Sequence, residues 1–437
     1  MVGRRACGAG RASLPWGNFA RPPCRAAREA NIGDATISTL AITPSHYDFS
    51  PIHAAMQPYV DGGLVSGLVS VILKGSAVVD VKTWGQADLE AKTPMQEDAI
   101  FRIYSSTKII TSAAAMMLHD QGVFDLDDAV ADYVPAFRDL RVLKPGATDV
   151  TDTEPLSRAP TIRELISHSS GFTYGLFPET PVDRLYTEQR IMDMNSSLEE
   201  MIDKLAALPL IFQPGTRWNY SIGIDILGRL IEIWTGQSFR DFLRERLFEP
   251  LGMVDTDFHV PPEKHHRLTK NYTPLDLRDN MKPGLKPCPD LLIGSVLAPK
   301  RFHSGGGGLV GTIGDYTRFI QMIVNGGEWN GKRYLSEQAV ALMHTNQLAP
   351  GVQVRLPTWK MPDTVFGAGF AIKTAPAAGE PASAIGEYHW GGMAGTHSWI
   401  APRANLAGLI FTQRAYGFWH PFSHEFKRLA YRIAGDN

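Results

Sequence analysis

From about Ser50 onward, apolar and polar positions alternate with periods that define elements. Residues 51–59 carry a short helical pattern. Residues 68–73 are apolar apart from Ser70, and 78–84 alternate; the Gly75-Ser76 turn between them predicts a β-hairpin. In 107–121 Ile109, Ile110, Ala113, Met117 and Leu118 recur at helical spacing, with Gly122 as the stop. Residues 222–235 are apolar nearly all round, which predicts a buried helix. Ser238 with Asp241, and Thr312 with Asp315, have the spacing of helix caps, one for a helix reaching Phe248 and one for 316–324. Toward the C-terminus the period shortens to two: 366–372, 397–401 and 406–412 are predicted strands, with 402–405 turning between the last two. A last helix is predicted over 425–434.

Strands near both ends of the chain with helices between them predict an α/β (α+β) fold. Its antiparallel sheet draws strands from both ends and is flanked by helices. The helical, Pro/Thr/Asp-interrupted stretch 126–216 is expected to be a mostly helical second domain inserted between 46–125 and 217–437. The 44% apolar and 20% charged residues are ordinary for a globular enzyme, and a net charge of −2 offers no electrostatic footprint for nucleic acid. No apolar run is long enough to span a membrane as a helix.

Residues 1–45 differ in composition. The first thirty hold six arginines against the single acid Glu29. Organelle transit peptides share that bias, but Pro15, Pro22 and Pro23 would break an amphipathic helix, so a disordered leader is the expectation. Of the three cysteines, Cys7 and Cys24 lie in this segment and Cys288 stands alone, which fits neither a disulfide framework nor a metal motif. A cytoplasmic location is expected. His265-His266, and His420 with His424, lack convergent carboxylates, so neither a metal nor any other cofactor is expected.

Three stretches carry candidate chemistry. Ser105-Ser106-Thr107-Lys108 is the only Ser-x-x-Lys in the chain. Its spacing brings Ser105 and Lys108 to one side of a helix start, where the helix dipole favours a developing alkoxide. Tyr220-Ser221-Ile222 stands at a turn leading into the buried helix, where a phenol can face a cleft. In His389-Trp390-Gly391-Gly392-Met393, two glycines let a strand approach a ligand closely. The glycines at 305–308 are followed by no Lys-Ser/Thr, so they do not predict a phosphate loop.

Taken together the three resemble the class C β-lactamase and penicillin-binding-protein-like serine hydrolases, with most similarity to the family VIII carboxylesterases. Phe101-Arg102-Ile103-Tyr104, Leu126-Asp127-Asp128, Tyr133-Val134-Pro135 and Leu165-Ile166-Ser167-His168-Ser169-Ser170-Gly171 also look like that superfamily. The resemblance implies Ser105 as nucleophile and Lys108 with Tyr220 as the proton-handling pair. It further implies an oxyanion hole from the backbone N–H groups of Ser105 and Met393, and substrate contacts from Trp390, Gly391, Gly392 and Ile222. β-Lactamases carry Asn where this chain has Ile222, and Lys where it has Trp390. Those departures point to a small uncharged ester of short-to-medium acyl length as the partner molecule. An acyltransferase, a β-lactamase or D-amino-acid peptidase, and a non-catalytic binding protein remain as alternatives. His168 and His389 are expected to make structural hydrogen bonds.

Overall fold

The computed structural model describes residues 40–279, 281–356, 361–417 and 420–436. The Arg-rich segment up to residue 39 lies outside the described residues. Leu40 packs on the core and Thr43 N–H reaches Val78 O at 2.7 Å, so these two residues of the expected 1–45 leader join the folded part.

The sheet has eight strands, in the order Thr364–Phe366, Ala371–Lys373, Tyr388–Gly392, Thr396–Ala401, Leu406–Phe411, Gly67–Lys74, Ala77–Asp88 and Thr93–Pro94. All pairings are antiparallel. The two ends of the chain meet where Val69 faces Phe411 and Lys74 faces Leu406. Alternation along Gly67–Lys74 sends Leu68 and Ile72 to one face and Val69, Val71 and Leu73 to the other. Helices cover both faces, which is why the strand reads as a continuous apolar run. Ser50–Asp61 and Pro421–Ala434 cover the first face through Ile52, Met56, Phe422 and Phe426. The last helix begins four residues earlier than its pattern predicts, because Pro421 suits a first helical turn.

The second face packs on Ile313–Val324, and the same core takes in Thr107–Asp120, buried from Thr107 through Leu118. The helix expected from the spacing of its five apolar residues is a central one. Its small residues Ser112, Ala113, Ala114 and Ala115 let neighbours close in on every side. The predicted strand 366–372 is instead two short strands, joined by a turn that Gly367 N–H closes on Phe370 O at 2.8 Å. Stretch 126–216 contains the helices Ile162–Ile166, Pro181–Glu188 and Leu198–Ala206, with a small hairpin of Arg141–Leu143 and Thr153–Pro155. The helix Gly223–Thr235 packs on Ile162–Ile166 and Leu198–Ala206, so the helical layer continues past residue 216. Among the described residues no helix is long and apolar enough to cross a membrane.

Candidate active site

Ser105 lies in a one-turn 3-10 segment, Tyr104–Ser106, between the short strand Ile100–Arg102 and the central helix. That strand pairs with Val310–Thr312, and Ile103 N–H reaches Leu309 O at 3.1 Å. Tyr104 takes a left-handed φ of 43°, a strained conformation for a residue with a side chain. The turn is held from several sides. Ser106 Oγ lies 3.0 Å from Thr396 O, Tyr316 OH donates to Ser106 O at 3.0 Å, and Thr396 Oγ1 donates to Ile103 O at 3.0 Å. Ser105 itself remains partly exposed.

Two groups converge on Ser105 Oγ. Tyr220 OH is 2.7 Å away and Lys108 Nζ 3.5 Å away. Lys108 is 1% exposed. Its Nζ donates to Gly306 O at 2.5 Å and lies 4.9 Å from the ring centre of Tyr174 and 4.6 Å from that of Tyr220. A carbonyl and two π-faces thus surround the buried Nζ. The two phenols stack 5.5 Å apart. Asp225, fully buried, accepts from Ser304 Oγ at 2.5 Å, Gly306 N–H at 3.0 Å and Tyr174 OH at 3.2 Å. Burial first, and then the charge of Asp225, push the Tyr174 phenol well above its ordinary pKa, so Tyr174 stays a neutral donor.

No sequence motif marks Asp225 or Tyr174, and the glycine run that holds Gly306 carries no assigned role in the sequence. The glycine run was the available signal, since its other meaning is close approach: a β-carbon at 306 would stand 2.4 Å from Asp225 Oδ2 and 2.5 Å from Tyr174 OH.

The third motif lies on Tyr388–Gly392, packed against the Ser105 turn. A β-carbon at Gly392 would stand 2.2 Å from Ile103 O, so this glycine backs the nucleophile turn. Gly391 pairs across the sheet with His397. Met393, half-buried at the following turn, packs in the cluster that contains Tyr104, Ile293 and Val296. Two expected contact residues change role. Trp390 is 1% exposed, its ring 5.6 Å from Tyr220 and 5.3 Å from Phe366. It buttresses Tyr220 and offers a ligand little open surface. Ile222 is fully buried in the main core, its N–H on Thr173 O, because the entry into helix Gly223–Thr235 turns its side chain inward.

Surface clefts of about 400 and 340 Å³ lie elsewhere, one beside His344 and Tyr388, the other beside Gln57 and Gly284. Neither includes Ser105, Lys108 or Tyr220, so the chemistry rather than cleft size marks the site. Among the described residues no three His, Cys, Asp or Glu side chains are grouped to hold a metal ion.

Residues 52–431 match the Beta-lactamase family. Esterase EstB of Burkholderia gladioli is 31% identical over 87% of this chain and 95% of its own length. Among solved structures, EstCE1, a hydrolase with promiscuous acyltransferase activity, superposes with a TM-score of 0.72 at 24% identity, covering 87% of this chain and 97% of its own. Unliganded simvastatin synthase LovD of Aspergillus terreus gives 0.71 at 23%, covering 87% and 96%. The two structures share the fold.

Proposed function

Because the chain belongs to the Beta-lactamase family of serine hydrolases, we propose that it cleaves uncharged carboxylic esters through an acyl-enzyme on Ser105. The observation that carries this reading is the convergence of Tyr220 OH and Lys108 Nζ on Ser105 Oγ, at 2.7 and 3.5 Å. A nucleophile within hydrogen-bond reach of its proton acceptor is the signature of an activated serine. Ser105 Oγ attacks the ester carbonyl carbon, and its proton passes to the lone pair of a neutral Lys108 Nζ or to Tyr220 as a phenolate. The carbonyl oxygen, now anionic, is held by the N–H groups of Ser105 and Met393, each contributing about 3 kcal/mol of barrier reduction. The C–O bond to the alcohol breaks as that oxygen takes the proton through Tyr220. Water then attacks the acyl-enzyme, gives up its proton along the same path, and Ser105 is regenerated.

The absence of lysine at 390 supports an uncharged substrate, since a buried carboxylate without a cation costs several kcal/mol. With Trp390 and Ile222 enclosed, apolar contact falls to Met393 and the neighbouring Ile293–Val296 segment. EstB's name supports ester cleavage. The titles of EstCE1 and LovD favour a second reading, in which an alcohol replaces water in the last step.

A fluorophosphonate should label Ser105 stoichiometrically, and Ser105→Ala should abolish turnover of p-nitrophenyl butyrate. Mass mapping of the adduct to Ser106 would overturn the assignment. Nitrocefin cleaved as efficiently as the butyrate would replace the esterase reading with a β-lactamase. The product ratio with and without added alcohol separates hydrolysis from transfer.

A further inference from the structure

The helix Ile162–Ile166 opens on a capping box of Thr161 and Glu164 and ends through Ser167 and His168. His168 has a φ of 62°. Its N–H reaches Leu165 O at 3.3 Å, and the next N–H, of Ser169, reaches Glu164 O at 2.8 Å. These are the bonds of a helix terminus whose left-handed position ordinarily falls to Gly or Asn. Placing a side-chain-bearing residue there costs about 1 kcal/mol. A histidine occupies it here, 1% exposed, so its side chain must serve an end that helix termination does not require.

Both peptide N–H groups that flank Tyr220 end on this one residue. Asn219 N–H donates to His168 O at 2.8 Å, and Ser221 N–H donates to the ring at Nδ1, 3.2 Å. Ser221 Oγ lies 3.1 Å from the same nitrogen and itself accepts Gly223 N–H at 3.3 Å. A backbone N–H can only donate, so Nδ1 is an acceptor and the neutral ring carries its proton on Nε2. Burial, and then the charge of Lys108, hold the imidazole well below its ordinary pKa, which preserves that acceptor at neutral pH. The ring centre sits 4.9 Å from that of Tyr220, with Trp218 and Phe366 closing round it. No contact joins His168 to Ser105, so it does not touch the reacting atoms.

We propose that His168 is the positioning residue for Tyr220, gripping the chain on both sides of the phenol so that its hydroxyl meets Ser105 Oγ. This rests on Tyr220 belonging to the proton path of the proposed reaction. The grip has two independent requirements, a left-handed backbone and an acceptor at the δ position of the side chain, and substitution separates them. His168→Asn keeps both: asparagine tolerates the left-handed region, and its Oδ1 stands where Nδ1 stood. His168→Gly keeps the backbone and removes the acceptor. His168→Leu removes the acceptor but fills the space.

The test is kcat and KM for p-nitrophenyl butyrate, normalised to sites titrated with a fluorophosphonate, alongside melting temperatures. Expected is a kcat within about fivefold of wild type for His168→Asn and about 100-fold lower for His168→Gly and His168→Leu, with KM little changed, as for a misplaced catalytic group. Should His168→Gly fail to fold, the comparison of Asn with Leu still tests the grip, with both requirements lost together in Leu. Equal losses in the Asn and Leu variants, or a loss confined to KM, would overturn the proposal. Ser105→Ala is run in parallel. If it stays active, the serine hydrolase reading fails; if it is dead while His168→Leu is fully active, only the role of His168 fails.

Discussion

Replacing Gly392 by alanine puts a methyl where the chain has no room. The new carbon would stand 2.2 Å from Ile103 O and 2.3 Å from Thr396 Oγ1, so about 1 Å of retreat is needed to restore ordinary contact. Neither neighbour gives way independently. Ile103 O accepts Ser106 N–H and Thr396 Oγ1–H, both at 3.0 Å, and Thr396 Oγ1 lies 3.1 Å from Ser106 Oγ. Relief therefore moves the turn that carries Ser105. Tyr220 is anchored separately, on His168 and through Ile222 N–H on Thr173 O, so it does not follow, and the 2.7 Å contact to Ser105 opens. A 1 Å error at reacting groups costs about 100-fold in rate, while overpacking costs about 1–3 kcal/mol of stability. Gly392→Ala should therefore lose about two orders of magnitude in kcat for p-nitrophenyl butyrate, with a modest fall in melting temperature. Labelling of Ser105 by a fluorophosphonate should slow in parallel. A folded variant with wild-type kcat and labelling rate would show that the strand does not set the position of the nucleophile.

Lys108→Ala and Tyr220→Phe should each lower kcat by several orders of magnitude, and the double variant should be little worse than the poorer single one, since both serve one proton path; additive losses would refute the shared path. Asp225→Ala strands three buried donors and should cost several kcal/mol in urea unfolding as well as activity; an unchanged unfolding midpoint would count against the cage around Lys108. Trp390→Lys should destabilise the protein, by up to about 3–5 kcal/mol as for loss of a buried tryptophan, without conferring efficient nitrocefin turnover. Stability should fall in acid. His168, His389 and His397 are held well below the ordinary imidazole pKa by burial, and His424 is lowered to about 4. Their folded pKa values lie below the unfolded ones, so the unfolded state binds more protons and stability drops as pH falls from about 6.5 toward 4. Asp315, raised to about 6 by burial, and Asp80, raised in the same way, oppose this with the reverse sign, but they are two groups against six, since burial lowers His303 and His344 as well. A melting temperature constant from pH 7 to 4.5 would contradict this balance.

Most of the scaffold was legible because its signals are local. The Gly75-Ser76 hairpin, the Thr312 cap and the stop at Gly122 each depend on a few neighbouring residues, and all appear in the structure. Side-chain direction was less legible. Trp390 and Ile222 were placed on the ligand side by analogy of motif position, but packing decides which way a residue points. Trp390 is taken up by Tyr220 and Phe366, and Ile222 by the core beneath its helix. Strand 366–372 failed for a related reason. Its apolar pattern is continuous, yet Gly367, Ala368 and Gly369 fold back to meet the central helix.

The surroundings of Lys108 were invisible because they are made between segments far apart in the chain. Gly306 is 198 residues from Lys108, and Asp225 is 81 residues from Gly306. The Gly306 peptide is gripped at both ends, its N–H on Asp225 and its C=O on Lys108. The carboxylate thus fixes the lysine's position through a neutral peptide instead of pairing with it. The proposed proton path asks Lys108 Nζ to stay within reach of Ser105 Oγ, 3.5 Å away. Gly306, set between Asp225 and Lys108, holds Nζ in that place, and a β-carbon at 306 would collide with Asp225 and Tyr174.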